Sequence, residues 1–123
     1  MKSKILILLL VFLLLNIPAG IAEDTTSSRM NDRCVLPQKP TIPYGSSLTE
    51  EELIAVQSVI KTYMVQGNNY LECIKKVEEG WGETATPEQQ ALVITLHNGV
   101  VDDMEVVASF FNLAVRAYKE KNQ

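Results

Sequence analysis

Two stretches of the chain place apolar residues at the alternating steps of three and four that are typical of an amphipathic helix. The first stretch predicts a helix, called helix A here, over residues 50–79. Thr49 and Glu52 fit an N-terminal capping box, and Gly80 fits a C-terminal stop. Its predicted apolar seam consists of Leu53, Val56, Ile60, Tyr63, Gly67, Tyr70, Ile74 and Val77.

The second stretch predicts helix B, from Pro87 to about Lys121. Thr86 and Gln89 fit a second capping box, with Pro87 at the first helical position. Helix B carries two apolar stripes, which is more than one partner helix can cover. The first stripe is Leu92, Gly99, Val106, Phe110, Leu113 and Ala117. The second stripe is Val93, Leu96, Val100, Met104, Val107, Phe111, Ala114 and Tyr118.

Only Trp81 to Ala85 separate the two predicted helices, and long helices with a short connection lie antiparallel. We therefore predict an all-α fold, a long antiparallel helical hairpin. Asn98-Gly99 is a candidate break in helix B, and a kink or turn there would give a three-helix bundle. A connection centred near residue 83 would place Gly67 opposite Gly99, so that the backbones could approach closely. The alternative is that each glycine merely weakens its helix.

A proline-paced segment precedes helix A over residues 34–48. Cys34 is followed by Pro37, Pro40 and Pro43, and this spacing of three suits a polyproline II helix. We therefore predict a proline-rich extended N-terminal strap.

The lengths of the strap and of helix A indicate whether the two cysteines lie close enough to form a disulfide. Helix A rises about 35 Å from Glu50 to Cys73, and the strap spans about 40 Å from Cys34 to Ser47. A strap that folds back at Gly45 would bring Cys34 beside Cys73. In an exported protein this predicts a disulfide. Free thiols and a bridge between chains are the alternatives.

The N-terminus has the pattern of a secretory signal peptide, predicted over residues 1–22. Lys2 and Lys4 precede an apolar run, Ile5 to Leu15, that is short for a membrane span, and Ala22 fits the cleavage site. An uncleaved anchor is the alternative. The polar stretch 23–33 predicts a disordered leader. These features predict an exported protein, periplasmic or secreted.

Composition narrows the possible partners. The 123 residues include 15 acidic and 11 basic side chains, for a net charge of −4. Loss of two lysines with the signal peptide would leave about −6. An acidic surface argues against nucleic acid and against anionic membranes as partners. No second apolar run follows the signal peptide, so we predict no stable membrane anchor after its cleavage.

Candidate chemistry is sparse. His97, Asp102, Asp103 and Glu105 form the one polar cluster considered for catalysis or metal binding. His97 and Asp102 are five residues apart, whereas a helical metal pair needs a spacing near four. We therefore predict no catalytic residue, no cofactor and no metal, and no enzymatic activity.

The wide apolar arc of helix B is the most informative surface signal. We predict an interface at Val100, Met104, Val107 and Phe111, with Trp81 as a further contact residue. Its occupant would be a second copy, giving a homodimer with a four-helix bundle, or an unknown envelope protein. The alternative is that both stripes are buried within the chain. The predicted function is that of an exported non-enzymatic binding or structural module. The alternative is a periplasmic chaperone-like protein or an inhibitor of an envelope enzyme.

Cys34-x-x-Pro37, Ile42-Pro43-x-Gly45 and Tyr70-Leu71-x-Cys73 together resemble the motifs of a family of small exported proteobacterial proteins. That family has a Cys-x-x-Pro opening, an Ile-Pro-Asp-Gly turn and a Tyr-Leu-x-Cys segment on the following helix, and the resemblance covers about residues 34–118. Tyr44 stands here where the family has the aspartate. The resemblance implies export and a cysteine pair, and it carries over no catalytic residue. The matching positions are Cys34, Pro37, Pro40, Ile42, Pro43, Gly45, Tyr70, Leu71, Cys73, Phe111 and Asn112.

Overall fold

The computed structural model describes Met30 and residues 32–123. Two long helices, α1 (Glu50–Trp81) and α2 (Pro87–Lys121), pack against each other as a hairpin. A short 3-10 turn, Gly82–Thr84, connects them, and no strand occurs among the described residues. The all-α class and the helical hairpin are therefore confirmed. The predicted signal peptide, residues 1–22, lies outside the described residues.

Both helices begin at the predicted capping boxes. The Glu52 N–H donates to Thr49 Oγ1 at 3.2 Å, and the Thr49 N–H donates to Glu52 Oε2 at 2.8 Å. In the second box, the Gln89 N–H donates to Thr86 Oγ1 at 3.2 Å, and the Thr86 N–H donates to Gln89 Oε1 at 2.9 Å. Each box satisfies two backbone N–H groups that the first turn leaves without an intrahelical partner. The predicted helix starts are confirmed.

The end of α1 differs from the prediction. The helix continues through Gly80 to Trp81, and its C-cap is Gly82. Gly82 has a φ of +54°, a conformation that glycine adopts without steric cost. The prediction of Gly80 as the stop was wrong because the residue with the left-handed backbone lies two positions further on.

Helix α2 runs unbroken through Asn98 and Gly99, so the three-helix alternative was wrong. The predicted pairing of Gly67 with Gly99 was wrong as well. Gly67 is buried, and a Cβ there would lie 2.6 Å from Sδ of Met104, whereas a Cβ on Gly99 would have no neighbour within 4 Å. The helices are offset in register from the arrangement expected for a connection centred at residue 83.

The hairpin core is formed by the predicted seam of α1 and by one stripe of α2. The buried residues of α1 are Ile60, Tyr63, Gly67, Tyr70 and Ile74. Those of α2 are Val93, Val100, Val107 and Ala114. The α2 positions follow one another at steps of seven, the repeat of a helix-packing seam. The second stripe of α2 therefore faces α1, and the first stripe lies outside this interface.

The described part of the chain before α1 is largely irregular. Residues 35–44 have no helix or strand, and a 3-10 turn, Gly45–Ser47, precedes the Thr49 cap. Met30 is helical and only 2% exposed, and it packs in the core cluster that contains Cys34. The predicted disordered leader thus does not extend over Met30, because its side chain belongs to the core. Residues 23–29 and 31 of that leader lie outside the described residues.

Candidate functional site

A disulfide joins the N-terminal segment, residues 34–49, to α1. The sulfurs of Cys34 and Cys73 are 2.01 Å apart, and their Cα atoms are 5.7 Å apart. Cys34 is fully buried, in a cluster with Tyr70 and Ile74. The predicted bridge is confirmed.

The middle of the N-terminal segment contacts α2. Lys39 Nζ donates to Asp103 Oδ1 at 2.6 Å in an ion pair whose two side chains are about half exposed. This hydrogen bond, and then the charge of Asp103, raise the pKa of Lys39. Three residues further on, Ile42 packs against a buried cluster that includes Tyr63 and Val107. The middle of the segment is thus held by one polar contact, at Lys39, and one apolar contact, at Ile42.

The backbone of the segment also approaches the backbone of α2, at Gly45. A Cβ built on Gly45 would lie 1.7 Å from the carbonyl oxygen of Ala114 and 2.5 Å from its carbonyl carbon. Both atoms belong to the helix backbone, which cannot turn aside as a side chain can. Only glycine permits this approach.

An apolar groove lies between the segment and the outer face of α2. Its volume is about 700 Å³. The α2 side presents Val106, Phe110 and Leu113, each about half exposed. The segment contributes Pro40 and Tyr44, and the Tyr44 side chain is 87% exposed. These residues form a continuous apolar surface that is open to solvent.

The ends of the groove carry charges of both signs. Lys39 lines one end beside its partner Asp103, and Arg116 and Glu120 line the groove towards the C-terminus of α2. The described residues include no salt bridge of Arg116 or of Glu120 within 4.0 Å.

Other exposed apolar residues on the helices are more isolated. Ile54 and Val65 lie on the same face of α1, but the exposed polar residues Ser58 and Lys61 separate them along that face. Ile94 is 59% exposed on α2, and it does not line the groove. Scattered exposed apolar residues are ordinary on a protein surface, whereas a contiguous patch beside a groove marks a contact site.

The predicted interface on α2 was wrong for the residues that were singled out. Val100 and Val107 are buried, and Met104 and Phe111 are half-buried against the same clusters. Their stripe packs against α1 within the hairpin, so it offers no free face. The seven-residue spacing of the buried stripe was the signal in the sequence that could have identified it.

Trp81 lies at the end of α1 beside a second, open cleft of about 580 Å³. Its half-buried side chain packs on the cluster around the disulfide. Lys76 Nζ and Glu72 Oε1, on the wall of this cleft, are 2.8 Å apart, and their hydrogen bond lowers the pKa of Glu72. These polar groups satisfy one another. The role of Trp81 as a contact residue stays a prediction.

The polar residues considered for chemistry are not assembled into a site. His97 is exposed, and its Nδ1 lies 3.4 Å from the side-chain oxygen of Asn98. In the part of the chain that the structure describes, no three His, Cys, Asp or Glu residues are placed to hold a metal ion. Tyr70 is a buried residue with a polar side-chain atom. Its hydroxyl has no hydrogen-bond partner within the described residues, and burial raises the pKa of that hydroxyl.

Comparison with known proteins gives no relative: no family model, curated protein or solved structure matches the chain. The resemblance to a family of small exported proteobacterial proteins therefore stays a prediction. Neither α1 nor α2 is long and apolar enough to cross a membrane.

Proposed function

We propose that this chain is an exported, non-enzymatic binding module that acts through the groove between its N-terminal segment and α2. One observation carries the proposal. Val106, Phe110 and Leu113 stay about half exposed on a helix whose other apolar stripe is already buried. Complete burial of a fully exposed side chain of this size is worth about 1.5–3 kcal/mol, and about half of that gain remains at each of these half-exposed residues, so a partner that covers all three would gain binding energy.

In this proposal the N-terminal segment acts as an extended strap. The disulfide fixes its start on α1, and Gly45 fixes its end against α2. The residues between them, Lys39 to Tyr44, form one wall of the groove. A wall held at both ends keeps its shape when a ligand binds, which lowers the entropic cost of association. Export is supported by the disulfide, since such bonds persist in oxidising compartments.

Site-specific photo-crosslinking in cells that produce the protein tests the binding surface. A photoreactive amino acid at position 113 should form a covalent adduct, and one at position 94 should not. Ile94 is the matched control because it is an aliphatic residue of the same helix, exposed to a similar degree outside the groove. Phe110→Glu should remove the adduct at position 113, whereas Ile94→Glu should leave it. Equal labelling at positions 113 and 94, or none at 113, would contradict the proposal.

A further inference from the structure

The two cysteines of the disulfide differ in their exposure to solvent. Cys34 is only 1% exposed, and it lies in an apolar cluster with Tyr70 and Ile74. Cys73 is partly exposed, and it lines the open cleft of about 580 Å³ at the end of α1. A thiolate that attacks a disulfide must reach one of the two sulfurs from solvent, so access decides which sulfur it attacks. In this bridge the accessible cysteine is Cys73.

The cleft also presents positive charge beside Cys73. Arg33 lines the cleft, and its carbonyl oxygen lies 3.6 Å from Sγ of Cys73. Among the described residues, no salt bridge of Arg33 occurs within 4.0 Å. Lys76 lines the same cleft, but Glu72 offsets its charge. Arg33 therefore adds net positive charge near the sulfur, which attracts an anionic thiolate.

The bridge holds the start of the N-terminal segment, where few other contacts do so. Five residues beyond Cys34, the Lys39–Asp103 ion pair joins the segment to α2, and its side chains are about half exposed. Exposed ion pairs contribute little to stability. The apolar contact at Ile42 comes three residues later. Opening the bridge therefore loosens the segment as far as Lys39 and Pro40, which belong to the wall of the groove.

We propose that the Cys34–Cys73 bridge is a redox-controlled tether, which an external dithiol of a thiol–disulfide oxidoreductase opens by attack at Cys73. The attacking thiolate forms a bond to Sγ of Cys73, the bond between the two protein sulfurs breaks, and Cys34 departs as a thiolate. The second thiolate of the reductant then attacks the reductant's own sulfur in the mixed disulfide and releases Cys73. Two electrons and two protons pass from the dithiol, which becomes a disulfide, to the two cysteines, which become thiols.

The burial of Cys34 couples this chemistry to movement of the segment. The departing thiolate forms within an apolar cluster, where an unpaired charge is costly. The sulfur therefore moves towards water, together with the start of the segment, and takes up a proton there. Oxidation reverses these steps and returns Cys34 to the cluster.

Reduced glutathione is the probe for the site of attack. The oxidised protein is treated briefly with glutathione at mildly alkaline pH, quenched with N-ethylmaleimide and mapped by peptide mass spectrometry. We expect glutathione on Cys73 and maleimide on Cys34, in at least about tenfold excess over the reverse pattern. Equal amounts of the two patterns, or an excess of the reverse, would overturn attack at Cys73.

Charge reversal tests the contribution of the cleft. Arg33→Glu should slow the formation of the glutathione adduct about threefold, because it replaces an attractive charge by a repulsive one. Lys61→Glu is the matched control, since this exposed residue of α1 lies about 18 Å from Cys73 along the helix, beyond the range of charge effects at physiological salt. Equal rates for the two variants would contradict the role of Arg33.

Hydrogen exchange tests the release of the segment. The Cys34 amide donates to the carbonyl oxygen of Met30 at 2.9 Å, and the Leu48 amide donates to that of Gly45 at 3.2 Å. Reduction by a phosphine should accelerate exchange at least about tenfold at the Cys34 amide and less than about twofold at the Leu48 amide, with helical circular dichroism retained. Equal acceleration at both amides, or none at the Cys34 amide, would overturn the tether.

The consequence for binding rests on the proposed function, because the tether holds a wall of the same groove. With the photoreactive amino acid at position 113, the Cys34→Ser/Cys73→Ser variant should form at least about threefold less adduct than the bridged protein, since its wall is no longer held at the start. Adducts of equal strength would overturn redox control of the groove and leave the proposed function standing. No adduct in the bridged protein would contradict the proposed function, while the glutathione and exchange results would still decide the tether.

Discussion

Gly45→Ala is expected to be the most damaging small substitution in the N-terminal segment. The added methyl carbon would lie 1.7 Å from the carbonyl oxygen of Ala114, far inside any real contact. The helix backbone cannot yield, so the segment must move away from α2. Overpacking of this kind costs about 1–3 kcal/mol, and the movement would also expose part of Leu48 and Ile42. We expect a loss of about 3 kcal/mol in the free energy of unfolding, or on the order of 10–20 °C in Tm.

Urea unfolding of the oxidised protein, followed by circular dichroism and by Trp81 fluorescence, measures this loss. Exchange of the Leu48 amide, which donates to the carbonyl oxygen of Gly45 at 3.2 Å, reports on the segment itself. Gly99→Ala is the matched control. It makes the same chemical change in open space within a helix, and it should stabilise the protein by about 0.5–1 kcal/mol. A Gly45→Ala variant within about 0.5 kcal/mol of the wild type would refute the close approach to α2.

Three further predictions concern the bridge, the first cap and the core. Replacing Cys34 and Cys73 by serine opens a link between residues that are 39 positions apart. By the chain-entropy model, this change should lower the free energy of unfolding, measured in urea, by about 4 kcal/mol. A decrease below about 1 kcal/mol would contradict a stabilising role of the disulfide. Hydrogen bonds from the backbone and then the side chain of Thr49 lower the pKa of Glu52 from its ordinary value of 4.5. The stabilisation by this cap is therefore present above pH 4.5 and is lost as the pH falls through the lower pKa of the folded state. In acid, exchange protection should fall at the Thr49 amide, which donates to the Glu52 carboxylate, and persist at the Thr86 amide, which donates to the Gln89 side chain, a group that does not titrate. Equal loss at both amides would contradict the assignment. Tyr70→Phe should leave the free energy of unfolding unchanged or raise it by about 1 kcal/mol, because the buried hydroxyl has no partner among the described residues, and a loss of 1 kcal/mol or more would show that the hydroxyl has a partner.

The parts of the fold that depend on local chemistry could be predicted from the sequence. A capping box involves four consecutive residues, so Thr49 and Thr86 identified both helix starts. The seam of α1 could be predicted for the same reason, since one helix with one apolar stripe has a single way to bury it. The disulfide could be predicted from the similar lengths expected for an extended N-terminal segment and for helix A, without any knowledge of side-chain packing.

The binding surface could not be predicted in the same way. Both stripes of α2 are apolar, and the choice between them depends on which one meets α1 in three dimensions. Phe110 and Phe111 are adjacent and of the same type, yet one faces the groove and the other packs on the core. The role of Gly45 was hidden for a similar reason, since its contact with Ala114 joins residues far apart in the sequence.

The N-terminal segment connects stability with the proposed binding. A two-helix hairpin has only one interface between its helices, and each helix therefore leaves much of its circumference in water. The segment adds a second contact with α2 through Ile42 and Gly45, which supplements this small core. It stops short of covering Phe110, so the same contact that stabilises the fold also forms the wall of the groove. A variant that detaches the segment should therefore lose stability and binding together, whereas Phe110→Glu should lose binding alone.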